Sequence, residues 1–202
     1  MGPTPMLYYS TYELATRNGI MHTGSHNPPD HNGFKMIMNG KPFFGTDILK
    51  LGELCAEGSW SSGTGSVQEH PLMDKYVARL LEDYRAPSDL SVVWDCGNGV
   101  TGEALRKVVS QLPGRHVLLY DEIDSTFPNH HPDPTVEKNL QDLIRAVKGI
   151  NADVGIAFDG DGDRIGVVDS RGNIIWGDQL LAILAREVLE EHPGASFIAD
   201  VK

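Results

Sequence analysis

The chain is short of positive charge: 17 Lys and Arg stand against 28 Asp and Glu, a net charge of −11 over 202 residues. That balance argues against a nucleic-acid groove or an anionic membrane surface as the main partner. It leaves room for a small phosphorylated ligand, because local cations can outweigh a screened global field. Cysteine is scarcer still. Cys55 and Cys96 are the only two, in dissimilar contexts without metal-ligand spacing, so reduced thiols in a cytoplasm are expected rather than a disulfide framework. No apolar run approaches membrane-spanning length, and Met1-Gly2-Pro3-Thr4-Pro5 lacks the basic start and apolar segment of a secretory signal. A soluble protein with no membrane partner is the expectation.

What is present is length enough for one large domain or two small ones, with 40% apolar residues to build a core. Residues 5–16 read as a helix, and residues 19–23 as a short strand that delivers a loop, Thr23-Gly24-Ser25-His26-Asn27-Pro28-Pro29. Residues 34–38 look like the return strand. Thr46 is placed to cap a helix with Ile48, Leu51 and Leu54 on one face. A Gly/Ser-rich break follows at 58–66, then a helix carrying Leu72, Tyr76, Val77, Leu80, Leu81 and Tyr84. Ala86-Pro87-Ser88-Asp89 marks a domain boundary. Beyond it the pattern is strand (91–94), helix (100–112), strand (117–120), loop, helix, strand (154–158). The second of these helices places Leu140, Leu143, Ile144 and Val147 on one stripe, with Gly149 as its terminator. Such alternation predicts an α/β fold with mixed, mostly parallel sheets and helices on both faces. Residues 165–168 and 173–176, around Ser170-Arg171-Gly172, predict a hairpin; a helix over 178–191 and a strand from 196 to 199 complete the pattern.

The densest chemistry sits where the apolar strand 154–158 ends, in Asp159-Gly160-Asp161-Gly162-Asp163-Arg164. Ligands in open α/β sheets gather at the carboxyl ends of strands. Three carboxylates so close repel one another and raise each other's pKa unless a cation joins them. An EF-hand also begins with alternating acids, but it requires Gly where Arg164 stands and Glu where Ser170 stands, and it follows a helix. Mg²⁺ is favoured over Ca²⁺, since it takes few protein carboxylates and completes its shell with water and phosphate oxygen. Ser25 could be a turn serine capping its own backbone. Around it, Gly24 permits close backbone approach, His26 and Asn27 bring polar groups suited to a phosphate, and Lys35 can neutralise charge or carry a proton. Together the two loops read as halves of one phosphoryl-transfer site.

Two other motifs compete for attention. Gly97-Asn98-Gly99-Val100-Thr101-Gly102 matches G-x-G-x-x-G after a strand, with Asp121 where a ribose-binding acid would lie. Against a dinucleotide stand Asp95, which brings negative charge to the pyrophosphate position, and the long loop after the next strand. A tight strand-to-helix turn that needs glycine for packing is preferred. His130-His131, adjacent in a proline-stiffened loop, cannot readily ligate one metal and reads as structural.

Residues 23–35 resemble the phosphoserine loop of the phosphohexomutases, in particular the bacterial phosphomannomutase/phosphoglucomutase branch, and 159–164 resemble that family's metal loop. The Asp95 to Gly99 turn and the loop 127–134 are similar too. The resemblance implies a hexose-phosphate mutase that moves phosphate between the 1- and 6-positions of mannose or glucose through phosphoserine and a hexose 1,6-bisphosphate. It implies Ser25 as the phosphate carrier, Mg²⁺ held by Ser25, Asp159, Asp161 and Asp163, and Arg164 on the phosphoserine or substrate. His26 and Lys35 would assist with proton transfer and charge. It also implies a partial first domain (1–86), a complete second (87–177) and the start of a third (178–202) within a monomeric four-domain parent. The competing functions are a dinucleotide-binding module and a non-catalytic divalent-metal domain.

Overall fold

A computed structural model describes residues 1–28, 30–58, 60–84 and 89–199. The chain begins with α1 (Thr4–Glu13), β1 (Gly19–His22), β2 (Phe34–Met38), β3 (Lys41–Pro42), α2 (Thr46–Glu57) and α3 (Met73–Glu82). It continues through β4 (Ser91–Asp95), α4 (Gly102–Val109), β5 (Arg115–Leu119), a 3₁₀ turn (Glu137–Leu140), α5 (Gln141–Ile150), β6 (Val154–Phe158), β7 (Ile165–Asp169), β8 (Ile174–Ile175) and α6 (Gly177–Glu191).

The strands form two sheets, β1-β2-β3 and β5-β4-β6-β7-β8. In the first, β2 runs antiparallel to both neighbours, with Ile20 opposite Met36 and His22 opposite Phe34. The return strand is therefore where the sequence placed it, and the Ser25 loop is the connection between β1 and β2. In the second sheet β4 lies parallel to both β5 and β6, while β6-β7 and β7-β8 are antiparallel because short turns join them. The chain is thus α/β, with its parallel pairing concentrated around β4.

From β4 the chain crosses to β5 on one side through α4, then back over β4 to β6 through α5. Right-handed crossovers in opposite directions place α4 and α5 on opposite faces. Val93, Ala157 and Val168 meet Leu140, Leu143 and Val147 beneath α5 in one fully buried cluster. Complete burial of each Leu or Val contributes about 2 kcal/mol. Val92, one residue along, points the other way, and on that side α4, with buried Ala104 and Leu105, packs on α3, with buried Tyr76 and Val77.

Several boundaries differ from expectation. Helix α1 ends at Glu13 rather than Thr16, and α4 occupies only Gly102–Val109, because the glycine-rich turn takes residues 97–101. Gly149 lies inside α5; Asn151, at φ +52°, closes it instead, asparagine being the non-glycine residue best suited to the left-handed conformation. Thr46 is the first helical residue of α2, and Gly45 before it supplies no side-chain cap. The stripe of Ile48, Leu51 and Leu54 does share a face, but all three are exposed, as are Leu80 and Tyr84 at the end of the α3 pattern. Residues 196–199 are irregular and pair with no strand among the described residues. The boundary expected at 86–89 falls mostly on residues 86–88, outside the described residues. Among the described residues, no helix is long and apolar enough to cross a membrane.

Candidate active site

The acidic loop joins β6 to β7 and is organised by its own backbone. The amides of Asp163 and Arg164 both donate to Asp159 Oδ1 at 3.0 Å. That leaves Asp159 Oδ2 free to face outward from the turn. Carboxylate oxygens of Asp159, Asp161 and Asp163 lie within 4.8 Å of one another, and the first two residues are almost fully buried.

Ser25 arrives from the β1–β2 loop. Its amide donates to Thr23 Oγ1 at 2.9 Å, and its φ of +52° holds it in the left-handed region that side chains seldom adopt. In this posture Ser25 Oγ lies 2.8 Å from Asp159 Oδ2 and 2.9 Å from Asp161 Oδ1. One hydroxyl proton cannot serve both acceptors at once. The arrangement calls for a second positive centre, whether a proton on one carboxylate or a cation. What lets the loops approach is Gly160: a Cβ there would lie 2.1 Å from the Ser25 carbonyl oxygen. Gly24, expected from the sequence to permit close backbone approach around Ser25, has its own missing Cβ facing the His31 carbonyl inside the same loop.

Asp161 is the hub. Its Oδ2 accepts from Thr4 Oγ1 at 2.6 Å, Lys35 Nζ at 2.6 Å and Thr23 Oγ1 at 3.2 Å. The Lys35 ammonium also pairs with Asp163. Burial alone would raise the Asp161 carboxyl, but the bonds from Lys35, Thr4 and Ser25 bring it below the usual carboxylate range. Asp159, by contrast, is raised by burial and by the neighbouring Asp161 charge, against the pull of its bonds from Ser25 and the Arg164 amide. The two buried acids thus split in opposite directions: burial dominates at Asp159, while at Asp161 the bonds from Lys35, Thr4 and Ser25 outweigh it. Lys35 itself is lowered by burial and raised more by its two carboxylates, for a net rise.

The remaining expected residues join the same centre. His26 Nδ1 lies 3.2 Å from Ser25 Oγ and 3.7 Å from Asp159 Oδ2, and Arg164 Nη1 lies 3.4 Å from His26 Nε2. Ser25, His26, Lys35, Arg164 and the three aspartates thus all converge. Sequence reasoning missed Thr4 and Thr23. The sole signal for Thr4 is a proline-flanked threonine at a helix start, and nothing local links it to a residue 157 positions away. A cavity of about 630 Å³ opens beside the serine, lined in part by Met21, Ser25, Asn98, Phe127 and Asp161.

The donor set suits a hard divalent cation. It offers only carboxylate and hydroxyl oxygens, crowded on a glycine-spaced turn, and an ammonium already rests against two of them.

The glycine-rich turn serves this site through packing. A Cβ at Gly102 would fall 1.9 Å from the Asp121 carbonyl oxygen, and one at Gly99 would fall 2.7 Å from that of Gly160. The Val100 amide donates to the same Gly160 oxygen at 3.0 Å, so the turn braces the acidic loop from behind. His130 is committed as well: its Nε2 lies 2.9 Å from a carboxylate oxygen of fully buried Asp95, and its Nδ1 meets the His131 carbonyl at 3.0 Å.

Residues 1–60 match the family model described as phosphoglucomutase/phosphomannomutase, alpha/beta/alpha domain I, and residues 74–172 match that of domain II. The chain belongs to the phosphoglucomutase/phosphomannomutase family. A phosphomannomutase/phosphoglucomutase of Pseudomonas aeruginosa is 46% identical over 202 residues, covering 100% of this chain and 44% of that protein. A phosphoglucomutase of Neisseria meningitidis is 43% identical over 204 residues, with the same two coverages of 100% and 44%. The crystal structure of a phosphoglucomutase/phosphomannomutase family protein from Burkholderia thailandensis superposes with a TM-score of 0.88 at 41% identity, covering 96% of this chain and 44% of that one. The chain therefore spans a little under half the length of these family members.

Proposed function

We propose that the chain carries the phosphoryl-donor half of a magnesium-dependent hexose-phosphate mutase, an intramolecular phosphotransferase that acts on mannose or glucose phosphate. The observation that carries this reading is the meeting of one serine hydroxyl with two buried carboxylates, at 2.8 and 2.9 Å, across separations of 134 and 136 residues. Such a meeting suits phosphoryl transfer, which relies on positioning and on charge neutralisation around the transferred group.

In this reading Ser25 carries the transferable phosphoryl group. Ser25, Asp159, Asp161 and Asp163 would hold Mg²⁺, which would supply positive charge against the transferring oxygens. The chain's own groups do the rest. Three carboxylates and a phosphoserine of about −2 sum to roughly −5, so Lys35 and Arg164 are required to offset repulsion before an anionic sugar arrives. His26, 3.2 Å from Ser25 Oγ, is within reach of the serine proton. Phosphoserine donates its phosphoryl group to the free hydroxyl of a hexose phosphate; the resulting hexose 1,6-bisphosphate reorients and returns its other phosphoryl group to Ser25. Nothing is consumed.

Reading 1–86 as part of a first domain, 87–177 as a second and 178–202 as the start of a third belongs to the same proposal; the domain I match ends at residue 60 and the domain II match begins at residue 74, ahead of the proposed boundary. A monomeric, cytoplasmic parent is part of the same proposal. The test is intact mass after incubation with glucose 1,6-bisphosphate and Mg²⁺. One added phosphoryl group mapped to Ser25, and none in Ser25→Ala, is expected; unchanged mass, or label elsewhere, would overturn the assignment.

A further inference from the structure

Thr4 lies at the first turn of α1, fully buried, and holds Asp161 twice. Its hydroxyl donates to Asp161 Oδ2 at 2.6 Å, and its amide donates to the Asp161 carbonyl oxygen at 2.7 Å. Two contacts from one residue to both the side chain and the main chain of another close a ring, and a ring fixes orientation where a single bond would allow rotation. The residue before it, Pro3, contributes no side-chain cap to the helix, so the Asp161 carbonyl supplies the acceptor that the first amide of α1 would otherwise lack. The same contact aims the positive end of α1 at the acidic loop.

We infer that Thr4 is a positioning residue for the acidic loop, fixing the plane of the Asp161 carboxylate so that one oxygen is held in the protein and the other is turned to the reacting centre. Asp161 Oδ2 is occupied by Thr4, Thr23 and Lys35, whereas Oδ1 alone is turned to Ser25 Oγ. Partial rotation of the carboxylate plane would swing Oδ1 out of line with Ser25 Oγ; the buried Thr4 hydroxyl, bonded to Oδ2, opposes it. Thr4 touches neither Ser25 Oγ nor the other two aspartates through any hydrogen bond in the structure, so its influence passes through Asp161. Gly162, on the same loop, packs toward Pro3, and a Cβ there would lie 3.2 Å from the Pro3 Cβ, which keeps the start of the chain seated beneath the turn. The role toward a cation rests on the magnesium reading above.

The experiment compares wild type, Thr4→Val and Thr4→Ser in the full 202-residue chain, by calorimetric titration with MgCl₂ and by denaturation. Thr4→Val keeps the shape and amide but loses the hydroxyl, and its Mg²⁺ affinity is expected to fall about tenfold. Thr4→Ser restores the hydroxyl and is expected to bind within about threefold of wild type. Equal Mg²⁺ affinity in Thr4→Val and wild type, with stability alone reduced, would overturn the inference. Should Thr4→Val fail to fold, Thr4→Ala carries the same expectations. A second arm measures stability without metal in a cycle of Thr4→Val with Asp161→Asn. Non-additive losses sustain the coupling even if the wild-type chain takes up no Mg²⁺, an outcome that would sink the magnesium reading alone. Additive losses would sink the positioning role whatever the metal does.

Discussion

The two sheets treat their apolar residues in opposite ways. In the five-stranded sheet and its helix α5, Val93, Leu143, Val147 and Val168 are completely buried. In the three-stranded sheet, Ile20, Phe34 and Met38 share one face, by the register of β1 against β2, and stand 69, 64 and 53% exposed. Helix α2, next in the chain, has no buried residue at all. The first region closes a core of its own through two crossovers, whereas the second holds its shape by local hairpin pairing and by contacts of α1 with β1 and α3. The candidate site lies on the seam between them: the aspartates come from the self-sufficient sheet, the serine and Lys35 from the thinly packed one. Precise placement of Ser25 therefore depends on the bonds that cross the seam, chiefly those to Asp159 and Asp161.

One identical substitution made on each side tests this contrast most sharply. Leu143→Ala is expected to cost about 3 kcal/mol, because it opens a cavity in a fully buried cluster. Its counterpart, Leu54→Ala on α2, is given last. Between the two in size stands His130→Ala, which deprives buried Asp95 of its ion partner and is expected to cost about 2 kcal/mol near pH 6. That cost depends on pH. Burial draws the His130 imidazole down, but the Asp95 carboxylate and the His131 carbonyl outweigh it, so the folded value lies above the ordinary one. A group raised on folding contributes fully below its unfolded value and loses that contribution as pH rises through its folded value. Urea denaturation of wild type and His130→Ala from pH 5 to pH 9 should therefore show a gap that narrows with rising pH; a gap that widens would contradict the pairing. Leu54→Ala, finally, is expected to change stability by less than about 0.5 kcal/mol, since the side chain is 53% exposed and alanine is a strong helix former. A loss matching that of Leu143→Ala would mean that the face of α2 is covered in solution.

The site was more legible in the sequence than the packing around it. Asp159, Asp161 and Asp163 follow an apolar strand, and Ser25 sits among residues fit for an anion, so residue type and spacing sufficed to name them. Thr4 was invisible because its meaning depends on a partner 157 residues away. Gly160 carries no local signal of its role either, since its effect comes from the absence of a side chain facing another loop. Helix α2 shows a different limit. Its stripe was correctly placed on one face, yet periodicity reports which residues share a side and not whether anything lies against it. The end of α5 was misplaced because Gly149 is the commoner terminator, and Asn151 can adopt the same left-handed conformation at modest cost. The opposite shifts of Asp159 and Asp161 were beyond spacing altogether, since they arise from burial at Asp159 and from the bonds of Lys35, Thr4 and Ser25 at Asp161.

The bare backbone at Gly160 has a consequence for how the two halves of the centre can be taken apart. With a hydrogen where other residues carry carbon, the gap between donor loop and acid loop is set by main chain against main chain, and no rotamer can adjust it. A single methyl group inserted there acts as a shim thicker than the space available. Each loop would keep its own internal hydrogen bonds, because none of them passes through that carbon, while the meeting of hydroxyl and carboxylates would be lost.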